Sequence, residues 1–323
     1  MSLKIYVDFS LPSEALARLK EGASGHELVF PSKPAASVLA KTEPDPSFYQ
    51  ADIAFGQPDI DAIEKAASLK WIHINTSGIT RYDTPEFRAR MAERQIPVSN
   101  SASVYNSACA DHALSFMMAQ SRQLPQALGF RASNVSDDWF RLRRGSVSLK
   151  GQKALLIGYG AIGKRLAELL APHHMQLSAY RRQARGDETI PVITEDELGA
   201  SLATADHVIN ILPDSPSTRN FFDANRFAQC KTGSVYYNIG RGTTTDQDAL
   251  HAALTSGQLK EAWLDVTEPE PLPDGHPLLS LPNCYITPHI AGGHFGEVMH
   301  CVENFLENLD RFTNGKSLVD HVI

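Results

Sequence analysis

Apolar residues in this chain fall in short continuous runs, and few of them alternate with polar ones, a pattern of strands buried on both faces. In the first hundred residues such runs lie at 4–8, 26–30, 51–55, 71–75 and 97–100. Between them the spacing predicts helices over 13–20, with Ser13 as N-cap and Leu16 and Leu19 facing inward, and over 59–67. Residues 31–47 carry Pro31, Pro34, Pro44 and Pro46 and predict loop. A long helix follows over 107–122, its broad apolar face built from Ala108, Ala110, Ala113, Leu114, Met117 and Met118. Cys109 and His112 read as part of the same packing. Residues 129–148 are polar and irregular, with Trp139, Phe140 and arginines at 131, 141, 143 and 144. They predict either a solvated connector or a loop over a partner or cleft.

From residue 151 the pattern repeats on a larger scale. Strands are predicted at 153–157, 175–180, 204–212, 234–238, 261–265 and 284–287, and helices over 161–170, 246–254 and 295–312. Strands alternating with helices imply parallel sheets in an α/β fold. The final helix and residues 313–323 return the chain toward its first part. The expectation is two Rossmann-like, doubly wound domains, with residues 103–292 inserted into a flavodoxin-like domain made of 1–102 and 293–323. The long helices near 107–122 and 295–312 would serve as hinge.

The run at 153–157 passes into Gly158-Tyr-Gly160-Ala-Ile-Gly163 and then into the helix carrying Ile162, Leu166, Leu169 and Leu170. In such a strand-turn-helix, Gly158 permits the bend, Gly160 lets backbone approach a pyrophosphate, and Gly163 lets helix pack on strand. The helix N-terminus offers unpaired N–H groups to phosphate. The next strand ends in Tyr180-Arg181-Arg182, with Arg185 nearby, where an NAD-binding unit places an acid for the ribose 2′-OH. Arginine instead suits a 2′-phosphate. The expected cofactor is therefore NADPH, with NADH possible.

Composition narrows the partners. A chain of 323 residues with net charge −7 disfavours nucleic acid and anionic membrane as partners, and has no bilayer-length apolar run or signal-peptide pattern. Cys109, Cys230, Cys284 and Cys301 are scattered, which argues against a zinc site or disulfide framework and fits a reducing cytoplasm. No metal is expected.

Arg241, Glu270 and His289 each fall at, or just beyond, the C-terminal end of a predicted strand, the edge where such sheets bind ligands. Together they form the set that keto-acid reduction needs. A cation binds the carboxylate and polarises the carbonyl, a histidine protonates the oxygen, and a carboxylate orients the imidazole and favours its charged form. The turn Asn75-Thr76-Ser77-Gly78 at another strand end reads as a plain βα turn or as a carboxylate-binding one.

With these motifs in order the chain resembles the D-isomer-specific 2-hydroxyacid dehydrogenases over nearly all its length. The matching pieces are Gly158–Gly163, Leu212-Pro213 with Thr218, Asn238-Ile-Gly-Arg-Gly242, Leu264-Asp-Val-Thr-Glu-Pro-Glu-Pro-Leu-Pro273 and Thr287-Pro-His-Ile290. The resemblance implies Arg241, Glu270 and His289 as the catalytic set and Ser77 and Gly78 as amide donors to the substrate carboxylate. It places Gly158, Gly160, Ala161, Ile162, Gly163, Leu212, Pro213, Thr218, Ile239, Gly240 and Gly292 around the cofactor, with Arg181 and Arg182 at its 2′-phosphate and Asp265 at the nicotinamide carboxamide. Arginine after Tyr180 is similar to the NADPH-preferring glyoxylate and hydroxypyruvate reductases. A homodimer is implied as well. The alternatives are the same chemistry on a bulkier or phosphorylated acid, or a nucleotide-sensing binding protein without turnover.

Overall fold

The computed structural model describes residues 2–33, 45–131 and 136–323, which divide into two compact units, 1–105 with 293–323 and 106–292. The first unit holds strands β1 (Lys4–Val7), β2 (Glu27–Val29), β3 (Ile53–Gly56), β4 (Trp71–Ile74) and β5 (Val98–Ser99), with helices α1 (Ser13–Gly22), α2 (Ile60–Lys65) and α3 (Pro85–Glu93) between them. All pairings are parallel, in the flavodoxin-like order β2-β1-β3-β4-β5. β3 and β4 are buried along their whole length, which explains their uninterrupted apolar sequence. The last helix of the chain (Glu297–Thr313) belongs to this unit. Its Phe305 ring stacks on Phe55 at 4.2 Å and on Trp71 at 5.3 Å, covering those strands.

Helix α4 (Ala102–Ser121) contains the boundary between the units and starts five residues before the predicted position. The second unit continues with α5 (Leu124–Gly129) and α6 (Asp137–Gly145), then β6 (Lys153–Ile157), α7 (Ala161–Leu170), β7 (Gln176–Tyr180), β8 (Val192–Ile193), α8 (Glu195–Leu202), β9 (His207–Asn210) and α9 (Ala224–Gln229). It ends with β10 (Ser234–Asn238), α10 (Gln247–Thr255), β11 (Leu259–Leu264) and β12 (Cys284–Ile286), so the Glu297–Thr313 helix is α11. Its seven strands are all parallel in the order β12-β11-β10-β9-β6-β7-β8. The order runs outward from β6 in both directions, so the reversal lies between β6 and β9. That is where such sheets take up dinucleotides.

Several local expectations change. Residues 34–44 of the predicted 31–47 loop lie outside the described residues, and 46–50 form a 3-10 turn capped by the Asp45 carboxylate. Ser13 lies inside the first turn of α1 and makes no cap. The 129–148 stretch contains α6, although 132–135 lie outside the described residues. α6 has no buried residue although it carries Trp139, Phe140 and Leu142, so burial contributes little to it. Its stability comes from its ends: Ser136 caps it, Asp137 and Asp138 open it and Arg143 and Arg144 close it, all matching the helix dipole.

Candidate active site

The glycine loop is built as its spacing requires. Gly158 sits at φ +109°, a conformation that side chains disfavour. A Cβ on Gly163 would lie 2.6 Å from the Gly158 carbonyl oxygen, so helix and turn touch only because Gly163 lacks a side chain. A Cβ on Gly160 would meet nothing within 4 Å. The protein leaves open the space before α7 that a pyrophosphate needs. The α7 N-terminus has no side-chain cap and no acid in its first turn, where Ala161 and Ile162 lie, so its N–H groups and dipole suit an anion. These residues fit the phosphates of a dinucleotide.

Leu212 and Pro213 follow β9, and Ile239 and Gly240 follow β10. A Cβ on Gly240 would fall 2.5 Å from the Leu212 carbonyl oxygen, so the two loops lie against each other. Thr218 is buried and donates from its hydroxyl to the Pro213 carbonyl at 2.6 Å, shaping that turn from behind. Gly292 lies in the loop that follows β12 and is the last residue of the second unit.

The two arginines after β7 have different employments. Arg181 is nearly buried and already neutralised. Its Nη1 lies 2.6 Å from Glu188 and 3.1 Å from Asp187, and Glu188 also accepts the Arg185 and Gly186 N–H groups. Arg182 is more exposed, and among the described residues it meets a neutral hydroxyl, Ser217 at 3.2 Å, and no acid. Sequence spacing alone gave no sign of the Glu188 pairing, because the acid comes seven residues later across an irregular loop.

Arg241, Glu270 and His289 stand together on the second unit's sheet edge. Arg241 directly precedes Gly242, where a Cβ would overlap the Thr267 carbonyl at 2.0 Å. That close approach brings the Arg241 loop against the segment that carries Glu270. Thr267 N–H donates to Glu270 Oε1 at 2.9 Å, and Glu270 Oε2 lies 2.8 Å from His289 Nδ1. With Nδ1 turned to the carboxylate, Nε2 is the ring nitrogen available to a substrate. Burial pushes the Glu270 carboxyl up, but the His289 and Thr267 hydrogen bonds and the Arg241 charge outweigh it. The group sits below the usual carboxylate value.

His289 occupies the left-handed region, φ +52°, and its loop is fixed by Asp265. His289 N–H donates to the Asp265 carbonyl at 2.9 Å. The buried Asp265 carboxylate accepts Thr287 Oγ1 at 2.6 Å, Ile290 N–H at 2.9 Å and Ala291 N–H at 2.8 Å. His112, read from sequence as packing, lies in this network, with Nε2 3.2 Å from Thr287 Oγ1. A helical position inside an apolar face gave no means of telling it from core.

In the first unit, the turn after β4 has its carbonyls tied back. Asn75 O accepts from Tyr105 Oη at 2.9 Å, Thr76 O from Ser101 N at 3.1 Å, Ser77 O from Asn100 Nδ2 at 2.7 Å and Gly78 O from Thr76 Oγ1 at 2.9 Å. With the carbonyls held on that side, the Ser77 and Gly78 N–H groups have no protein acceptor among the described residues. These two N–H groups are donors of the kind that suits an anion.

Residues 114–291 match the family described as D-isomer specific 2-hydroxyacid dehydrogenase, NAD binding domain. The chain is 34% identical over 227 residues to a human glyoxylate reductase/hydroxypyruvate reductase, covering 70% of this chain and 68% of that one. The NADPH-dependent glyoxylate/hydroxypyruvate reductase of Sinorhizobium meliloti, solved with citrate, matches with a TM-score of 0.73 at 26% identity, over 99% of this chain and 97% of that chain. A Xanthobacter autotrophicus Py2 protein solved with NADPH and MES shares the fold, with a TM-score of 0.80 at 23% identity over 100% and 98% of the two chains.

Proposed function

The chain belongs to the D-isomer specific 2-hydroxyacid dehydrogenase family, and from that premise we propose that it reduces a small 2-keto acid of the glyoxylate or hydroxypyruvate kind to the D-2-hydroxy acid with NADPH. The observation that carries this reading is the His289–Glu270 pair at 2.8 Å, set beside Arg241 on the ligand edge of the sheet.

A bound nicotinamide cofactor supplies the hydride. Arg241 polarises the keto oxygen and pairs with the carboxylate. As hydride reaches the keto carbon, the C=O π pair moves onto oxygen. His289 Nε2 delivers its proton there, and the imidazole ends neutral. Glu270 holds Nδ1–H and stabilises the imidazolium before transfer. Asp265 keeps one acceptor position beyond its three donors, enough for a carboxamide N–H.

NADPH is favoured because no acid follows Tyr180 directly, and because Arg182 keeps its charge uncompensated within its own loop. The similar S. meliloti enzyme is described as NADPH-dependent. Free thiols at Cys109, Cys230, Cys284 and Cys301 support a reducing setting, and the reading includes a cytoplasmic homodimer. Steady-state oxidation of NADPH and of NADH with glyoxylate, hydroxypyruvate, pyruvate and phenylpyruvate tests the whole reading. Turnover confined to phenylpyruvate would move the substrate to a bulkier acid. Tight NADPH binding without turnover would replace the enzyme by a binding protein.

A further inference from the structure

We propose that His112 is a positioning residue for the His289 loop, acting through the Thr287 hydroxyl and the Asp265 carboxylate. The proposal rests on His289 as proton donor. The imidazole of His112 projects from α4 with Nε2 3.2 Å from Thr287 Oγ1 and 3.6 Å from Asp265 Oδ1. The Phe116 ring packs edge-on against it at 4.4 Å and limits its rotation.

Hydrogen-bond bookkeeping fixes the direction of the chain. Asp265 as a carboxylate only accepts, and Thr287 Oγ1 lies 2.6 Å from it, so the single hydroxyl proton goes to Asp265. Thr287 must then accept from His112, which places a proton on His112 Nε2. The charged group that acts on this ring is Asp265. Burial pushes the His112 ring down against the pull of Asp265, so the neutral Nε2–H form serves near neutral pH.

The chain ends on the loop that matters. Asp265 holds Ile290 N–H with one oxygen and Ala291 N–H with the other, while its carbonyl holds His289 N–H. A non-glycine residue at φ +52° persists only where its surroundings hold it. His112 sets the Thr287 hydroxyl, and through it the rotation of the carboxylate that both amides grip. An error of about 1 Å at a proton donor lowers turnover by about 100-fold.

His112→Leu removes the donor and Thr287→Val removes the relay. Each is expected to lower kcat by about 10- to 100-fold. The double variant should cost no more than the larger single change, because both break one chain. His112→Gln, whose Nε2 reaches toward the same hydroxyl, should recover most of the loss. Amide hydrogen exchange needs no substrate: it should speed by about tenfold or more at Ile290 and Ala291 in His112→Leu, and stay unchanged in the β6–β9 strands. Unchanged exchange at those two amides, or additive losses in the double variant, overturns the proposal. If His289→Gln keeps wild-type turnover, the proton-donor reading fails instead, whatever the His112 variants do.

Discussion

Nδ1 of His289 lies 2.8 Å from Oε2 of Glu270, and Thr267 N–H holds the other Glu270 oxygen at 2.9 Å. The carboxylate is therefore fixed before it meets the imidazole, and its orientation fixes which ring nitrogen faces outward. Its pKa lies below the usual value, so it is ionised through the neutral range. Its help to the imidazolium is lost only as pH falls through that lowered value. Glu270→Gln removes the negative charge beside the imidazole and should lower kcat by about 10-fold or more. Steady-state kinetics of the variant check this, and an unchanged kcat would show that Glu270 does not act on His289.

The arginines make separate predictions. Arg182→Gln should weaken NADPH binding by about tenfold or more and leave NADH nearly unchanged, the loss of one charge-assisted contact to phosphate. Arg181→Gln should act mainly on stability, because it leaves Glu188 without its cation at 2.6 Å. Fluorescence titration with both cofactors and a melting curve for each variant separate the two. A larger cofactor shift from Arg181 than from Arg182 would reverse the assignment.

Asp8 predicts a pH dependence of stability in the first unit. It is buried at the end of β1, where a Cβ on Gly56 would sit 1.8 Å from its oxygen. Burial pushes its pKa up to about 7, against the Gln57 N–H bond and the Arg81 charge that pull it down. The fold thus binds the proton more tightly than the unfolded chain does. That stabilisation is complete below the ordinary carboxylate value of 3.8 and is lost as pH rises through about 7. Asp8→Asn keeps an acceptor for Gln57 and carries no charge. Its melting temperature should gain on wild type by roughly several degrees between pH 5 and pH 8. A constant difference across that range would place the Asp8 proton elsewhere.

Much of this was legible because the sheets are parallel and buried. β10 and β6 could be placed from continuous apolar runs, and the glycine turn from its spacing between strand and helix. Helices α3 and α8 were passed over although their caps are written in the chain: Thr84 before Pro85, and the Thr194–Glu197 capping box. α6 is short and unburied, and its Trp139 and Phe140 among four arginines between 131 and 144 read as a polar connector. At the site, the residue types and strand-end positions of Arg241, Glu270 and His289 pointed to proton and hydride chemistry. The employment of Arg181 by Glu188, and of His112 by Thr287, depends on loop paths that spacing does not encode. The tied-back carbonyls of residues 75–77 depend on Asn100, Ser101 and Tyr105, which come from a later stretch of the chain.

The central claim is that His289 protonates a keto oxygen as hydride arrives. It is tested most directly by NADPH oxidation with glyoxylate and hydroxypyruvate, wild type against His289→Gln, with NADPH binding titrated in both. The wild type is expected to turn over to a D-configured product wherever the product is chiral, and the variant to lose about 100- to 10,000-fold in kcat with NADPH affinity intact. Equal turnover by the two proteins would contradict it.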